Sequence, residues 1–455
     1  MRDQLADALK AGAGADYVEI RLQRSESTHL SYRGREIEQV GRATGLGGAV
    51  RALVKGGWGF VCFNDLSDLR SSVELAVHQA RLVGREETRF APAEPVVDTV
   101  RPALGKDPRL IPLAEKKRLL DEYNEVIWRT SDKIQTSIIR YHDLSRTTYF
   151  ANSEGSYIEQ EMVDMSLVIV AVAREGSDVQ QAFLSRGSAG DFSTLENLHA
   201  EVEDVARRAV RLLSAKPVKG GTYTVIIDPR LAGVFIHEAF GHLSEADHVY
   251  ENERLRELMQ LGRRFGPPEL NVFDGAAVPG LRGSYRYDDE GVPAQKSYLI
   301  REGVLVGRLH SRETAGKMGE APTGNARAIN YQFPPLVRMT NTAIENGTVP
   351  FEDMLADIKL GIYAKDAYGG ETTMEMFTFS AAQAFMIRSG QIAEEVRGVN
   401  LTGNVFETLA NIEAIGNDFR WNHSGGGCGK GGQSPLPVDE GSPHIRVRNV
   451  VVGGE

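Results

Sequence analysis

Hydrophobic and polar residues alternate along much of the chain, with glycine-containing turns between the alternating runs. Near the start, the runs DYVEIRLQR, THLSYRG and AVRALVKGGWGFVCF have the period of two that is typical of strands. In SDLRSSVELAVHQARLVG and LAEKKRLLDEYNEVIWR the apolar residues instead recur at helical spacing. The pattern therefore predicts helices and strands that are mixed in the N-terminal part.

A proline-rich stretch interrupts this pattern at residues 91–112. Prolines break helices and cannot donate to a strand ladder, so we expect a linker or a long surface loop there. Further strand runs and the helical run STLENLHAEVEDVARRAVRLLSA follow. The sequence KPVKGG at 216–221 marks a sharper boundary, which divides the chain into an N-terminal α+β domain, 1–215, and a C-terminal β-rich domain, 216–455.

Strand-like runs succeed one another in the C-terminal domain. They include SYLIREGVLVGRLHS, PLVRMTNTAI and TMEMFTFSAAQAFMI, and this succession favours a largely antiparallel sheet. The polar segment 246–267 is expected to be a solvated surface helix or a mobile cover. The predicted fold class is α+β, with an N-terminal mixed α/β substructure and a C-terminal, largely antiparallel β domain.

Composition and charge narrow the class of protein. The net charge of the 455 residues is −10 and no stripe rich in Lys and Arg is present, so nucleic acid is not an expected partner. No apolar run approaches the length of a membrane span, and no secretory signal is recognised at the start, so we expect no membrane and a cytoplasmic location. The two cysteines, Cys62 and Cys428, fit a reducing compartment, and the apolar neighbours of Cys62 predict a buried, inert thiol.

The passage DPRLAGVFIHEAFGH, which follows the strand YTVIID, carries the most informative residues. Asp228 can cap a helix that has Pro229 at its first position. This helix would carry His237, Glu238 and His242. Neutral imidazoles are good zinc ligands, and a carboxylate beside the first ligand can take a proton from a water molecule. The pattern predicts two metal-binding histidines and a glutamate that acts as general base.

The spacing of these histidines imposes a structural condition. His237 and His242 are five positions apart, whereas the ligands of an H-E-x-x-H helix are four apart. Residues five apart on an ideal α-helix diverge by about 140°. Both side chains reach one ion only where the helix is wound more widely or broken, so we expect a π-type bulge or a helix end around 240–242, which Gly241 would permit.

The segment NHSGGGCGKGGQSP places six glycines around Cys428. Glycine lets the backbone pass close to a ligand, and a thiolate is a strong third ligand for zinc. Such a site would leave a fourth position for water or substrate. The residues leave two other interpretations open: Cys428 is a nucleophile with His423 as its base, or it is a thiol in a flexible loop.

Two acidic clusters are further candidates. The first comprises Glu245, Asp247 and His248. They could support the metal ligands, although a solvated acidic turn is the simpler expectation. The second comprises Asp288, Asp289 and Glu290. We expect them in an exposed turn, where three carboxylates could attract a substrate amine.

Three segments resemble the TldD branch of the TldD/PmbA peptidases. They are HEAFGH at 237–242, DDEGVPAQKSYLIREGVLVGRLHSRETA at 288–315 and GGGCGKGGQ at 425–433. In that family the two motif histidines and the late cysteine bind zinc, and the glutamate is catalytic. The PmbA (TldE) branch lacks the metal motif, which this chain has.

The resemblance implies specific roles and partners for this chain. It assigns one Zn2+ to His237, His242 and Cys428, and catalysis to Glu238. It implies a zinc-dependent peptidase that hydrolyses unfolded or extended polypeptides and peptide precursors, in an enclosed site where the substrate adds as a β-strand. It also implies a homodimer or a heterodimer with a PmbA/TldE-like chain. Two alternatives remain: a metal-free cysteine hydrolase that uses Cys428, and a non-catalytic subunit with a structural zinc.

Overall fold

The computed structural model describes residues 1–373 and 375–454. The elements of the N-terminal part are α1 (Arg2–Leu9), β1 (Tyr17–Arg33), β2 (Glu36–Val54), β3 (Gly57–Phe63), α2 (Leu69–Val83), β4 (Val97–Val100), α3 (Leu113–Thr130), β5 (Ile134–Asn152), β6 (Tyr157–Glu175), β7 (Asp178–Ser188) and α4 (His199–Leu212). The seven strands form one sheet in the order β3-β2-β1-β5-β6-β4, and β7 pairs with β6. Its long central strands, β1, β2, β5 and β6, pair with one another in antiparallel orientation.

One face of this sheet is apolar and is covered by helices. Near the start of β1, Val18 and Ile20 pack with α1 and α2, and near its end Leu30 and Tyr32 pack with α3 and α4. All four residues occupy even positions, which share one face of a strand. The odd positions, such as Glu19, carry polar side chains, and that opposite face meets the C-terminal part.

The proline-rich stretch 91–112 is not entirely a loop. Strand β4 lies within it and pairs in parallel with β6, with Val97 opposite Tyr157. The expectation of a linker or surface loop was therefore wrong for these four residues. Pro95 and Pro102 flank the strand rather than interrupt it, so its backbone N–H groups remain free to donate.

Cys62 lies on β3 and its side chain is exposed, so the prediction of a buried thiol was wrong. Its neighbour Val61 packs against the apolar core under α2. Successive side chains of a strand point to opposite faces, so Cys62 points to the polar face of the sheet. The apolar residues next to Cys62 in the sequence therefore lie on the opposite face of the sheet.

The C-terminal part contains many short strands. Its elements are β8 (Lys216–Pro217), β9 (Gly221–Ile227), α5 (Pro229–Ile236), α6 (Ala246–Glu251), α7 (Glu253–Leu258), β10 (Val272–Gly275), β11 (Lys296–Arg301), β12 (Val304–Leu305), α8 (Arg312–Met318), β13 (Ala326–Arg327), β14 (Leu336–Val337), β15 (Asn341–Ile344), α9 (Phe351–Leu355), β16 (Leu360–Thr373), β17 (Met376–Arg388), β18 (Gln391–Arg397), β19 (Asn400–Asn404), α10 (Val405–Ala410), β20 (Ile412–Ile415), β21 (Arg420–Trp421), β22 (Cys428–Lys430), β23 (Gln433–Leu436), β24 (Asp439–Ser442) and β25 (Ile445–Gly453).

Two larger sheets organise these strands. One has the order β16-β9-β25-β19-β17-β18-β8, with β20 on β25, and β17 also pairs with β16, so five strands close into a ring. The other has the order β12-β11-β10-β15-β24-β21. Most pairs are antiparallel; the parallel ones are β16–β9, β18–β8 and β15–β24. The predicted fold class, with helices and largely antiparallel strands, is confirmed.

Helix α5 lies between the two sheets. Phe235 contacts Phe377 and Phe379 of β17 edge-to-face. On the other side, Gly233 approaches β24 so closely that a Cβ atom there would lie 3.1 Å from the Cβ atom of Glu440. Contacts on both sides fix the position of this helix, and with it the residues that follow its end. No helix among the described residues is long and apolar enough to cross a membrane.

The segment 246–267 contains two short helices, α6 and α7, rather than one solvated helix. Val249, Leu255 and Met259 are buried in the main C-terminal core. Because these side chains point into the core, this polar segment covers the core with an apolar side of its own.

The acidic turn at 288–290 is buried, so the expectation of an exposed turn was wrong. Glu290 forms an ion pair of 2.7 Å with Arg51, and Asp289 forms one of 3.2 Å with Arg21. The Asp288 carboxylate accepts hydrogen bonds from three backbone N–H groups, including that of Ala326 at 3.0 Å. The arginines belong to the polar face of the N-terminal sheet, and local sequence gives no sign of such distant partners.

Asp228 caps α5 and gives a prediction about pH. Burial, together with the charge of Asp366, raises the pKa of Asp228 from 3.8 to about 7. Between these two values the folded chain holds a proton that the unfolded chain has lost, so stability falls as the pH rises through this window. Asp228→Asn keeps the capping oxygen and removes the charge. We expect its unfolding free energy to fall less than that of the wild type between pH 4 and pH 7, as measured by urea titration.

The matched control is Asp68→Asn at the cap of α2. Hydrogen bonds from Ser71 lower the pKa of Asp68 in the folded chain. The contribution of the Asp68 carboxylate to the stability of the folded chain therefore increases as the pH rises, whereas that of Asp228 decreases. Parallel pH profiles for the wild type and Asp228→Asn would contradict the assignment of a buried, protonated cap.

Candidate metal centre

The first metal-ligand candidate follows directly from α5. The Asp228 carboxylate accepts a hydrogen bond of 2.9 Å from the backbone N–H of Leu231, and Pro229 occupies the first helical position. Both features were predicted, and they start the helix immediately after β9. The regular helix ends at Ile236, so His237 begins the next turn.

A wider helical turn then brings the imidazole of His242 close to that of His237. Residues His237–Gly241 form a π-helix, and the backbone N–H of His242 donates to the carbonyl of His237. This bond joins residues five apart, as in a π-helix, and a single 3₁₀ turn, His242–Ser244, follows. The two imidazole centroids lie 5.4 Å apart at 86°. The predicted distortion is confirmed, although it begins at His237 rather than near Phe240.

Gly241 contributes to this turn through close packing. Its backbone angles, φ −57° and ψ −51°, are those of an ordinary right-handed helix, so conformational freedom is not what the position requires. A Cβ atom at Gly241 would lie 2.0 Å from the sulfur of Met339, which is fully buried. The glycine lets Met339 pack directly against the wide turn.

Cys428 reaches the same place from a distant part of the chain. It begins β22, which forms a hairpin with β23 and pairs Cys428 with Leu436. Its Sγ atom lies 3.4 Å from Nε2 of His242. One ligand atom from each of His237, His242 and Cys428 lies within 4.8 Å of the other two. The structure thus brings the three predicted ligands together.

Buried arginines hold the glycine-rich segment in place. Arg338 is fully buried and donates to the carbonyls of Cys428 at 2.8 Å and Gln433 at 3.2 Å. Arg282 donates to the carbonyl of Ser424 at 2.9 Å and forms an ion pair of 2.6 Å with Asp164 of β6. The segment is therefore tied to both parts of the chain, unlike the flexible loop that was one of the alternatives.

Glu238 faces the gap beside the imidazoles. Its Oε2 atom lies 3.7 Å from Nε2 of His242, and about a quarter of its side chain is exposed. Burial raises the pKa of Glu238, while the charges of His237 and His242 act in the opposite direction. A carboxylate with a raised pKa is suited to accept a proton and to return it.

The charges of the three ligand candidates are strongly coupled. Burial alone would raise the pKa of Cys428, but the neighbouring His237 and His242 lower it to about 4. Burial would lower the pKa of His237, but the Cys428 thiolate raises it to about 9. The protein by itself therefore favours a thiolate at Cys428 beside two imidazoles whose pKa values are raised.

The donor set fits zinc. Two imidazole nitrogens and one thiolate are ligands that zinc accepts in tetrahedral sites, and three protein ligands leave one position open. In addition, the Nδ1 atom of His237 is buried and has no hydrogen-bond partner in residues 1–373 and 375–454. We conclude that His237, His242 and Cys428 are compatible with a zinc ion.

Glu245 supports His242 from behind. It is fully buried, and its Oε2 atom lies 3.0 Å from Nδ1 of His242 and 3.1 Å from Nζ of Lys430. The expectation of a solvated acidic turn was wrong for this residue, while its role as a support for the ligand matches the alternative. Asp247 also pairs with Lys430, at 2.7 Å. The spacing of three between His242 and Glu245 in a helical turn is the sequence signal for this contact.

Two other residues near the centre depart from the sequence analysis. His423 is more than half exposed and its Nδ1 atom lies 3.7 Å from Asp439, whereas Nε2 of His242 lies 3.4 Å from the Cys428 sulfur. Glu440 on β24 was not singled out from the sequence. It lies against α5 and has a buried Oε2 atom without a hydrogen-bond partner among the described residues.

Comparison with protein families gives matches along most of the chain. The model described as PmbA/TldA metallopeptidase domain 1 matches residues 18–80, the central domain matches 106–216, and the C-terminal domain matches 220–454. The fold and the site thus define a member of a metallopeptidase family. The chain belongs to the PmbA/TldD family.

Curated relatives extend over nearly the whole chain. A metalloprotease of Synechocystis is 54% identical over 442 residues, which cover 97% of this chain and 95% of that protein. A metalloprotease of Methanothermobacter thermautotrophicus is 38% identical, with 96% of each chain covered. A protein of Saccharolobus solfataricus named zinc metalloprotease TldD homolog is 30% identical, with 97% of each covered. The chain is thus similar to proteins named metalloproteases.

Solved structures show the same fold. A putative modulator of a DNA gyrase from Thermotoga maritima has a TM-score of 0.79 at 22% identity, with 99% of both chains covered. TldE from Thermococcus kodakarensis has a TM-score of 0.77 at 19% identity and covers 100% of both chains. At this level of identity the likeness concerns the fold alone.

The close packing at Gly241 predicts a specific loss of stability. In Gly241→Ala the added methyl group would overlap the Met339 sulfur, and such overpacking typically costs about 1–3 kcal/mol. Urea unfolding should show this loss. The control is Gly220→Ala, where a Cβ atom would find its nearest neighbour at 3.6 Å, and no loss is expected. Equal stability of Gly241→Ala and the wild type would show that Met339 does not constrain the wide turn.

Proposed function

We propose that this protein is a zinc-dependent peptidase whose metal is bound by His237, His242 and Cys428. The observation that carries the proposal is the convergence of two imidazoles and one thiolate within 4.8 Å, with the Glu238 carboxylate 3.7 Å from His242. The names of the curated relatives, which are metalloproteases, support the same reaction class. The proposed stoichiometry is one zinc ion per chain, bound at this cluster.

The residues of the chain divide the chemistry among them. A bound zinc ion would supply Lewis acidity for a water molecule and for the scissile carbonyl. Glu238 takes the proton from the attacking water and returns it to the leaving amine. Burial raises its pKa, which makes the carboxylate a stronger base and lowers the cost of taking the proton. Glu245 holds the imidazole of His242 in orientation through Nδ1.

We propose unfolded or extended polypeptides and peptide precursors as substrates. This substrate class is the one that the resemblance of the three sequence segments implies. A partner is a second copy of this chain or a PmbA/TldE-like chain, and the shared fold with TldE supports the second choice. We also propose a domain boundary between residues 215 and 216, and a cytoplasmic location.

A metal-free cysteine hydrolase is the second candidate function. Two observations favour it: the Cys428 pKa lies near 4, below its usual value because His237 and His242 outweigh the effect of burial, and His242 lies 3.4 Å from the sulfur. In this mechanism His242 would replace His423 as the base. A non-catalytic chain with a structural zinc is the third candidate, and it would require a fourth protein ligand.

Metal content separates these candidates. After reconstitution with zinc and desalting, elemental analysis should give about one zinc per wild-type chain and much less for Cys428→Ala, because the thiolate is one of three ligands. The control is Cys62→Ala, which removes the exposed thiol and should keep the metal. Zinc should also slow alkylation of Cys428 by iodoacetamide. Absence of zinc from the wild type would remove the metallopeptidase and leave the cysteine hydrolase.

Substitution of Glu238 tests catalysis separately from metal binding. Glu238→Gln keeps the shape of the side chain and removes the proton acceptor, so zinc content should stay at the wild-type value. Cleavage of an unfolded protein should fall by about 10²-fold or more, the usual contribution of a general base. Glu257→Gln, on the exposed side of α7, is the matched control. Normal cleavage by Glu238→Gln would exclude Glu238 as the base. Absence of cleavage by both the wild type and Glu238→Gln would favour the structural-zinc candidate.

A further inference from the structure

The Lys430 ammonium group occupies a nearly closed position behind the metal centre. It lies 2.7 Å from both carboxylate oxygens of Asp247, 3.1 Å from Oε2 of Glu245 and 2.9 Å from the carbonyl oxygen of Val337. Only a tenth of the Lys430 side chain is exposed. A lysine buried to this degree costs free energy unless its charge is fully paired, and here it is paired by three acceptor groups.

The same lysine belongs to the strand that carries the cysteine. Lys430 is the last residue of β22, two positions after Cys428, and it pairs with Gln433 across the hairpin. Glu245 and Asp247, by contrast, follow the wide turn that carries the histidines. The ammonium group therefore connects the two segments that supply metal ligands, at a point outside the ligand cluster itself.

Glu245 completes the connection to a ligand. One of its oxygens, Oε2, contacts both Lys430 and Nδ1 of His242. An imidazole that donates Nδ1–H to a carboxylate presents the lone pair of Nε2 to the metal, so this contact fixes both the tautomer and the ring orientation. The Nε2 atom of His242 is the one that faces the Cys428 sulfur, at 3.4 Å.

We propose that Lys430 is a positioning residue that, through Glu245, couples the seating of the cysteine hairpin to the orientation of His242. When β22 is in place, the ammonium group pairs the Glu245 carboxylate and keeps it directed at the imidazole. When the hairpin withdraws, Glu245 and Asp247 are left as neighbouring carboxylates without their cation, and their repulsion removes the support of His242. Two ligands are thus gained or lost together. This inference rests on the zinc site proposed above.

The test is the zinc affinity of the full chain, measured by competition with a chromophoric chelator. Lys430→Met keeps the length of the side chain and removes the charge. We expect it to weaken zinc binding by about 10- to 100-fold, the usual effect of losing a group that orients a ligand. The matched control is Lys116→Met, which removes a buried lysine paired with Asp143 at 2.5 Å in the N-terminal part. That variant should bind zinc as tightly as the wild type.

A double-mutant cycle separates positioning from general destabilisation. Glu245→Gln should also weaken zinc binding, and the double variant with Lys430→Met should lose little more than the larger single effect, because both residues act through one contact. Additive losses, or a Lys430→Met variant with the affinity of the wild type, would overturn the coupling. Affinities are compared at a temperature where circular dichroism shows each metal-free chain to be folded.

Other outcomes remain informative. If Lys430→Met does not fold, Glu245→Gln and Asp247→Asn carry the test, since Asp247 contacts Lys430 but its substitution leaves the Glu245–His242 contact in place. Glu245→Gln should then weaken zinc binding more than Asp247→Asn, and the reverse order would overturn the proposal. A wild type that binds no zinc would remove the proposed function itself. A wild type that binds zinc through Cys428, with unaltered Lys430 and Glu245 variants, would remove only the coupling.

Discussion

The hydrogen bond from the His242 N–H to the His237 carbonyl determines whether the two candidate histidine ligands can meet at all. In a regular α-helix the two imidazoles would diverge by about 140°. The wide turn removes this divergence, and their ring centroids lie 5.4 Å apart. A π-type turn of this kind is rare and needs support from its surroundings. Here the support comes from α5, which is fixed on two sides, and from Met339, which packs where Gly241 has no side chain.

Paired charges hold the pieces of the site together. Arg338 and Lys430 anchor the cysteine hairpin, and Arg282 links the preceding glycines to the N-terminal sheet. Buried ion pairs add little net stability to a protein. Removal of one partner is nevertheless costly, because the other charge is then buried and unpaired. These ion pairs matter here for geometry, because each cation holds the surrounding carbonyl and carboxylate oxygens in one arrangement. The polar face of the N-terminal sheet is therefore part of the scaffold of the proposed metal centre, although it supplies none of the candidate ligands.

The sequence was most informative where the relevant physics is local. The cap at Asp228, the helix after β9 and the distortion between the two histidines all followed from residues within a few positions of one another. The candidate ligand Cys428 was found through an unusual composition rather than through spacing. The remaining errors concern long-range contacts: Cys62 and the turn at 288–290 were misplaced because the face of a strand and a partner more than two hundred positions away are not visible locally.

The distance along the chain between the ligands has a consequence for folding. His242 and Cys428 are 186 positions apart along the chain. The five strands that close into a ring, β9, β16, β17, β19 and β25, lie between or beside these two residues in the sequence. Contacts of such long sequence separation form slowly, since the chain between them must first lose much of its freedom. The histidine turn can form early from local interactions, whereas the cysteine joins it only when most of the C-terminal part is assembled. Uptake of the proposed zinc ion would therefore be a late event that reports completed folding, in contrast to small zinc domains whose folding the ion itself initiates.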